Sequence, residues 1–165
     1  MNKVLAFIVT LIIATGCASN LPKEGSATLQ NQRVDSNGKL YSLVFDALDG
    51  KPLKVGAFTK PNKATHYVKP GKKDVQLKVT RYLESGNGVY GAIFIGKINF
   101  KLNSTYKMRV SEVGTCITVF VESDSGETVF GPVKQPLYII GSPEFLLVEL
   151  GYSDRISKPS SACDV

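Results

Sequence analysis

Asp74 to Leu83 reads DVQLKVTRYL, and this stretch decides the fold. Val75, Leu77 and Val79 alternate with Gln76, Lys78 and Thr80. Successive side chains of an extended chain point to opposite sides, so the alternation predicts a strand with one buried face. The same vocabulary recurs on either side of it. Upstream, Tyr41 to Leu48 (YSLVFDAL) is apolar and aromatic and runs into Asp49-Gly50, a hairpin signal. Leu53 to Phe58 predicts a second short strand, and Lys60-Pro61-Asn62-Lys63 a loop. Thr65 to Lys69 then enters Pro70-Gly71, where proline fixes one torsion and glycine permits the positive one.

Downstream, Ser85 to Gly88 predicts a turn, and Val89 to Leu102 (VYGAIFIGKINFKL) a long strand broken or bulged at Gly96. Asn103-Ser104 turns the chain and Tyr106 to Val110 pairs back. Thr115 to Glu122 (TCITVFVE) is the most β-prone stretch, with Ile117, Val119 and Val121 opposite Thr118, Phe120 and Glu122. Asp124-Ser125-Gly126 turns again, and Thr128 to Lys134 closes the run. Phe145 to Leu150 (FLLVEL) fits either a strand or one or two helical turns. About seven short strands, with turn signals between them and no sustained helical period, predict an all-β antiparallel β-sandwich. Its bounds are residues 39–134, with 135–165 as a C-terminal extension. Ala18 to Gly38 is polar and small and predicts a flexible tether, a coil spanning roughly 25 Å; the alternative is an edge strand over Ala27 to Val34.

The first residues have a different character. Asn2 and Lys3 give a short positive start, and Val4 to Ala14 (VLAFIVTLIIA) is an almost wholly apolar run. A helix needs about 20 apolar residues to cross a bilayer, so the run suits a secretory signal better than a stable span. It ends in Ala14-Thr15-Gly16-Cys17, which resembles the lipobox of bacterial lipoproteins. The resemblance implies cleavage after Gly16, a diacylglyceryl group on the Cys17 sulfur and acylation of the new amine. One acyl chain holds a protein only marginally, whereas two or three on one cysteine anchor it firmly. Ala18 and Ser19 follow, with no aspartate after the cysteine, which by the same resemblance favours the outer membrane, facing the periplasm. Within the sandwich, the Asp49-Gly50 turn, Val68-Lys69-Pro70-Gly71 and Asn103-Ser104-Thr105-Tyr106 are similar to turns of small lipoproteins with prealbumin-like or PEGA-like domains. That family carries no catalytic residues to transfer. Asn103 stands where its members often have glycine.

Of 165 residues, removal of the first 16 leaves 149, enough for one domain, and loses only Lys3, so the formal charge falls from +6 to +5. Cys17 taken by lipid leaves Cys116 and Cys163, and an even pair outside the cytoplasm favours a disulfide. Between Lys51 and Lys78 eight lysines occur and Asp74 is the only acid. Lys69, Lys72 and Lys73 head this run as a candidate anion- or partner-binding surface for an envelope protein, peptidoglycan or lipopolysaccharide. The bland alternative is a lysine-rich edge that blocks strand pairing. Nucleic acid is not a sensible partner in that compartment.

The remaining motifs are weak. Gly86-x-Gly88-x-x-Gly91 matches a dinucleotide fingerprint, but a strand follows where a helix is required. Ser104-x-x-Lys107 and Ser36-x-x-Lys39 match the active-site serine pattern of penicillin-recognising enzymes without its helix. His66 is the single histidine, and Glu122, Asp124 and Glu127 lack calcium-loop spacing. The expectation is therefore no metal, no cofactor and no catalytic residues. The sequence predicts a membrane-anchored accessory module, the alternative being a periplasmic inhibitor or small-ligand binder.

Overall fold

A computed structural model describes residues 24–83, 89–151 and Cys163. The signal, Cys17, the Ser85–Gly88 turn and most of the polar tail lie outside the described residues. The described chain forms β1 (Ala27–Gln30), β2 (Gln32–Ser36), β3 (Lys39–Leu48), β4 (Lys51–Pro52), β5 (Thr65–Val68) and β6 (Gly71–Tyr82). It continues as β7 (Val89–Phe100), β8 (Thr105–Val113), β9 (Cys116–Ser123), β10 (Thr128–Pro136), β11 (Tyr138–Ile139) and α1 (Pro143–Glu149). A five-stranded sheet A, in the order β10-β9-β8-β1-β5, faces a six-stranded sheet B, in the order β11-β7-β6-β3-β2, with β4 on β3. The fold is an all-β sandwich.

The alternation that predicted β6 is its burial pattern. Val75, Leu77 and Val79 are buried, and Gln76, Lys78 and Thr80 face out. Ile117, Val119 and Val121 meet them from β9, with Leu43, Phe45, Phe94, Phe100, Tyr106 and Met108 filling the space between the sheets. The Phe100 and Tyr106 rings pack edge to face, their centroids 4.9 Å apart, across the β7–β8 connection.

Four expectations are revised. The stretch read as a tether holds β1 and β2. β1 is not an edge strand: it lies between β5 and β8, and its pairing with β8 is parallel because both enter sheet A from the same end. Asn37-Gly38, with φ of 55° and 71°, is the β2–β3 hairpin turn, a strong signal hidden by its polar neighbours. Leu53 to Phe58 is not a strand. β4 stops at Pro52, which lacks the N–H a longer ladder needs, and only the Leu53 amide reaches back, to the Asp46 carbonyl at 2.8 Å.

β7 pairs with β6 without a break at Gly96. Glycine is needed there because a Cβ would stand 2.2 Å from the Phe130 ring. The register shift falls in β3 instead, between Phe45 and Ala47. Finally, the segment after residue 134 belongs to the domain. β11 pairs with β7, and α1, capped by the Ser142 hydroxyl, buries Phe145 against Gly91. FLLVEL is thus helical.

Two chain corners join the sheets. β1 passes into β2 at Asn31, and β10 into β11 at Leu137, so one strand path serves both layers. Asn31 is buried and its side chain holds three elements. Its Oδ1 accepts from the Phe45 amide at 2.8 Å, and its Nδ2 donates to the Pro61 carbonyl at 2.9 Å and faces His66 Nε2 at 3.3 Å. Gln32 then donates to the Met108 carbonyl of β8.

Candidate functional site

Turns alternate between the two ends of the sandwich, and the registers assign each one. At one end, which may be called the N-terminal end, lie Ser26, Asp49-Gly50, Lys69-Pro70, Lys101–Ser104 and Asp124–Gly126. At the other lie Asn37-Gly38, Gly114-Thr115 and the start of β7.

Lys69, Lys72 and Lys73 all sit at the N-terminal end but not in one state. Lys73 pairs with Asp49 at 2.8 Å. That bond, then the Asp74 amide, holds the Asp49 carboxyl below the ordinary aspartate range. Lys69 and Lys72 are exposed and form no ion pair among the described residues. The rest of the lysine run disperses. Lys78 lies on the outer face of sheet B, 2.7 Å from Glu149, with its ammonium over the Phe145 ring, while Lys60 precedes and Lys63 ends a short 3₁₀ turn. Linear clustering therefore becomes a small exposed group at one end rather than a continuous basic face.

One open surface among the described residues is not visible in the sequence reading. Thr105, Lys107 and Arg109 project from the outer face of β8, beside Gln30 of β1 and Glu122 of β9. With the Asp124–Gly126 turn they line a shallow groove of about 440 Å³. Arg109 pairs with Glu122 at 3.0 Å. The set offers cations, carboxylates and amides on one flat sheet face, suited to a polar ligand or a protein surface. Its signal was only the alternate half of β8, the positions a core search discards.

Two buried polar clusters are structural. Glu112 of β8 accepts from Tyr41 at 2.6 Å, Lys39 at 2.7 Å and Arg81 at 2.5 Å, and the Arg81 guanidinium stacks on Tyr90. Burial pushes the Glu112 carboxyl up, but these three donors together outweigh it and hold it below the ordinary glutamate range. The Tyr41 hydroxyl is pushed well up by burial and then by Glu112. His66 is held below the usual histidine range by burial.

The motifs fall into ordinary places. Gly91 lies in β7 under Phe145, and Gly86 and Gly88 lie outside the described residues. Ser36 is in β2 and Ser104 immediately precedes β8, so neither heads a helix. Glu122 and Glu127 turn to Arg109 and Lys101 respectively. No group of three or more metal-ligating side chains occurs among the described residues. Cys116, on an interior strand of sheet A, is joined to Cys163 with Cα atoms 5.7 Å apart. Cys17 lies outside the described residues. No family model, no curated protein and no solved structure matches the chain.

Proposed function

We propose that the protein is a lipid-anchored bacterial envelope lipoprotein, held by Cys17, whose sandwich is a non-catalytic accessory binding module. The observation that carries this reading is Ala14-Thr15-Gly16-Cys17 behind an apolar run, ending ten residues before the first strand of a folded domain. The mature module then stands in the periplasm, on the outer membrane, and presents the outer face of sheet A to a protein or cell-wall partner. Mass spectrometry of the native N-terminus tests the anchor: acylated Cys17 is expected, and an unmodified thiol refutes it. Crosslinking in intact envelopes tests the module. A defined partner is expected, lost in Lys107→Glu/Arg109→Glu and retained in Lys69→Glu/Lys72→Glu. Recovery of no partner refutes the binding role.

A second reading, capture of a small polar ligand, is favoured by the groove beside Lys107 and Arg109. It predicts that a soluble cell-wall fragment protects these side chains from chemical labelling.

A further inference from the structure

The described chain enters sheet A at one defined place. The Ser26 carbonyl accepts from the Asn103 amide, and the Ser104 carbonyl from the Thr28 amide, both at 2.9 Å. The start of β1 is therefore pinned to the β7–β8 turn. That turn carries Leu102, which is 54 % exposed. Asn103 follows at φ 58°, a left-handed conformation asparagine tolerates, and this closes the turn tightly behind the leucine. Lys69 and Lys72, exposed and without ion pairs among the described residues, occupy the neighbouring turn and strand start. Lys101 is paired with Glu127 at 2.5 Å. The carboxylates of Glu24 and Asp124 share this end and moderate its charge.

Chain length limits how the domain can stand. Nine steps separate Cys17 from Ser26. At most about 3.5 Å per residue, they span no more than ~32 Å. β6 and β7, of 12 residues each, make the sandwich about 40 Å long. A domain attached at Ser26 could rest on its Asn37-Gly38 end only if those nine steps were drawn out to nearly their full span along its side. It can stand on the N-terminal end or lie on its side.

We propose that the N-terminal end is a membrane-docking surface, with Leu102 entering the interface of the bilayer that holds Cys17. Lys69 and Lys72 reach the lipid phosphates. A lone leucine supported by lysines whose stems can lie along the apolar boundary matches the chemistry of an anionic headgroup layer. Docking this end brings the Asp124–Gly126 turn, one rim of the sheet A groove, to the headgroups and leaves Lys107 and Arg109, farther along β8, on the side of the domain. The inference rests on lipidation of Cys17.

The test uses the full lipidated protein in vesicles of phosphatidylethanolamine and phosphatidylglycerol, with an environment-sensitive fluorophore at Ser125→Cys, Asp35→Cys or Leu150→Cys. The probe at Ser125, in a turn of the docking end, should be quenched by headgroup-labelled lipid several-fold more than that at Asp35. Leu102→Asp, and separately Lys69→Glu/Lys72→Glu, should each reduce the Ser125 quenching. Equal quenching at Ser125 and Asp35, preferential quenching at Leu150 or indifference to both variants overturns the docking. Mass spectrometry of the same vesicles separates the two failures. Acylated Cys17 with no Ser125 quenching refutes docking alone, and unacylated Cys17 refutes the anchor and the docking with it.

Discussion

Replacing Glu112 by alanine should be among the most destabilising single changes in the domain. Glu112 is the point at which sheet A is bound electrostatically to sheet B. It stands on β8, while Lys39 and Tyr41 come from β3 and Arg81 from β6. Its side chain is 3 % exposed, and that of Arg81 is 15 % exposed. Removing one member of a buried pair leaves the other charged and desolvated, which costs about 3–5 kcal/mol. The Lys39 contact adds little, because that side chain is 46 % exposed and its charge is screened by water. The Tyr41 hydroxyl also loses its acceptor, on the order of 1 kcal/mol. Relaxation of Arg81 toward solvent offsets part of this, so about 3 kcal/mol is expected, or roughly 6–12 °C in Tm for a domain of this size. The assay is urea denaturation followed by circular dichroism, in which the midpoint should fall with an unchanged slope. Because the folded carboxyl is held below its unfolded value, its stabilisation is present above the unfolded pKa, about 4.3, and is lost as pH falls through the folded one. Glu112→Gln should therefore flatten the acid side of the stability profile. A loss below about 1 kcal/mol for Glu112→Ala, or additivity of Glu112→Gln with Arg81→Met in a double-mutant cycle, would refute the reasoning.

Gly96→Ala should cost about 1–3 kcal/mol, because the added methyl meets the Phe130 ring at 2.2 Å; restoration by Phe130→Leu in the same denaturation assay would identify the clash as the cause. Cys163→Ser opens a bridge with a sequence separation of 47, worth up to about 4 kcal/mol in chain entropy, and reduction of the native protein should give a matching midpoint shift. His66 has a folded pKa below its unfolded value of about 6.5, so stability should be full above pH 6.5 and decline as pH falls toward the folded value. His66→Gln should remove that slope below pH 6.5, as read by denaturant midpoints across the range. Asn31→Ala should cost about 2–4 kcal/mol, since it strands the Phe45 amide beneath the β1–β2 corner, and hydrogen exchange at Phe45 should accelerate more than at Leu77.

The strands with one greasy face were legible because a period of two is a local property. Val75, Leu77 and Val79 announce β6, and Ile117, Val119 and Val121 announce β9, without reference to the rest of the chain. The Asp49-Gly50 and Asp124–Gly126 turns were equally plain, since the torsions they need are written in residue type. β1 was not legible. Ala27 and Leu29 are its only core-facing apolar residues, too few to display a period, and it is held mainly by backbone pairing to β5 and β8. Gly96 is ambiguous for a related reason: a strand glycine signals both a bulge and a close neighbour, and only the position of Phe130 decides between them. FLLVEL was undecidable alone, and the Ser142 cap and the bare patch at Gly91 made it a helix.

The candidate surfaces divide in the same way. By itself the sequence determined the all-β class and the hairpin turns, because each depends on residues adjacent in the chain, and only with Cys17 taken as lipidated did the cysteine count point to a Cys116–Cys163 pair. It also supplied the expectation of an anchor at Cys17. Tertiary structure alone decided that Lys73 is neutralised by Asp49 while Lys69 and Lys72 stand free of ion pairs among the described residues. It also decided that Lys107, Arg109 and Glu122 share one groove, and that Leu102 sits beside Ser26, just before the first described strand. These are proximities between residues far apart in sequence, set by sheet order and register, and no local pattern encodes them.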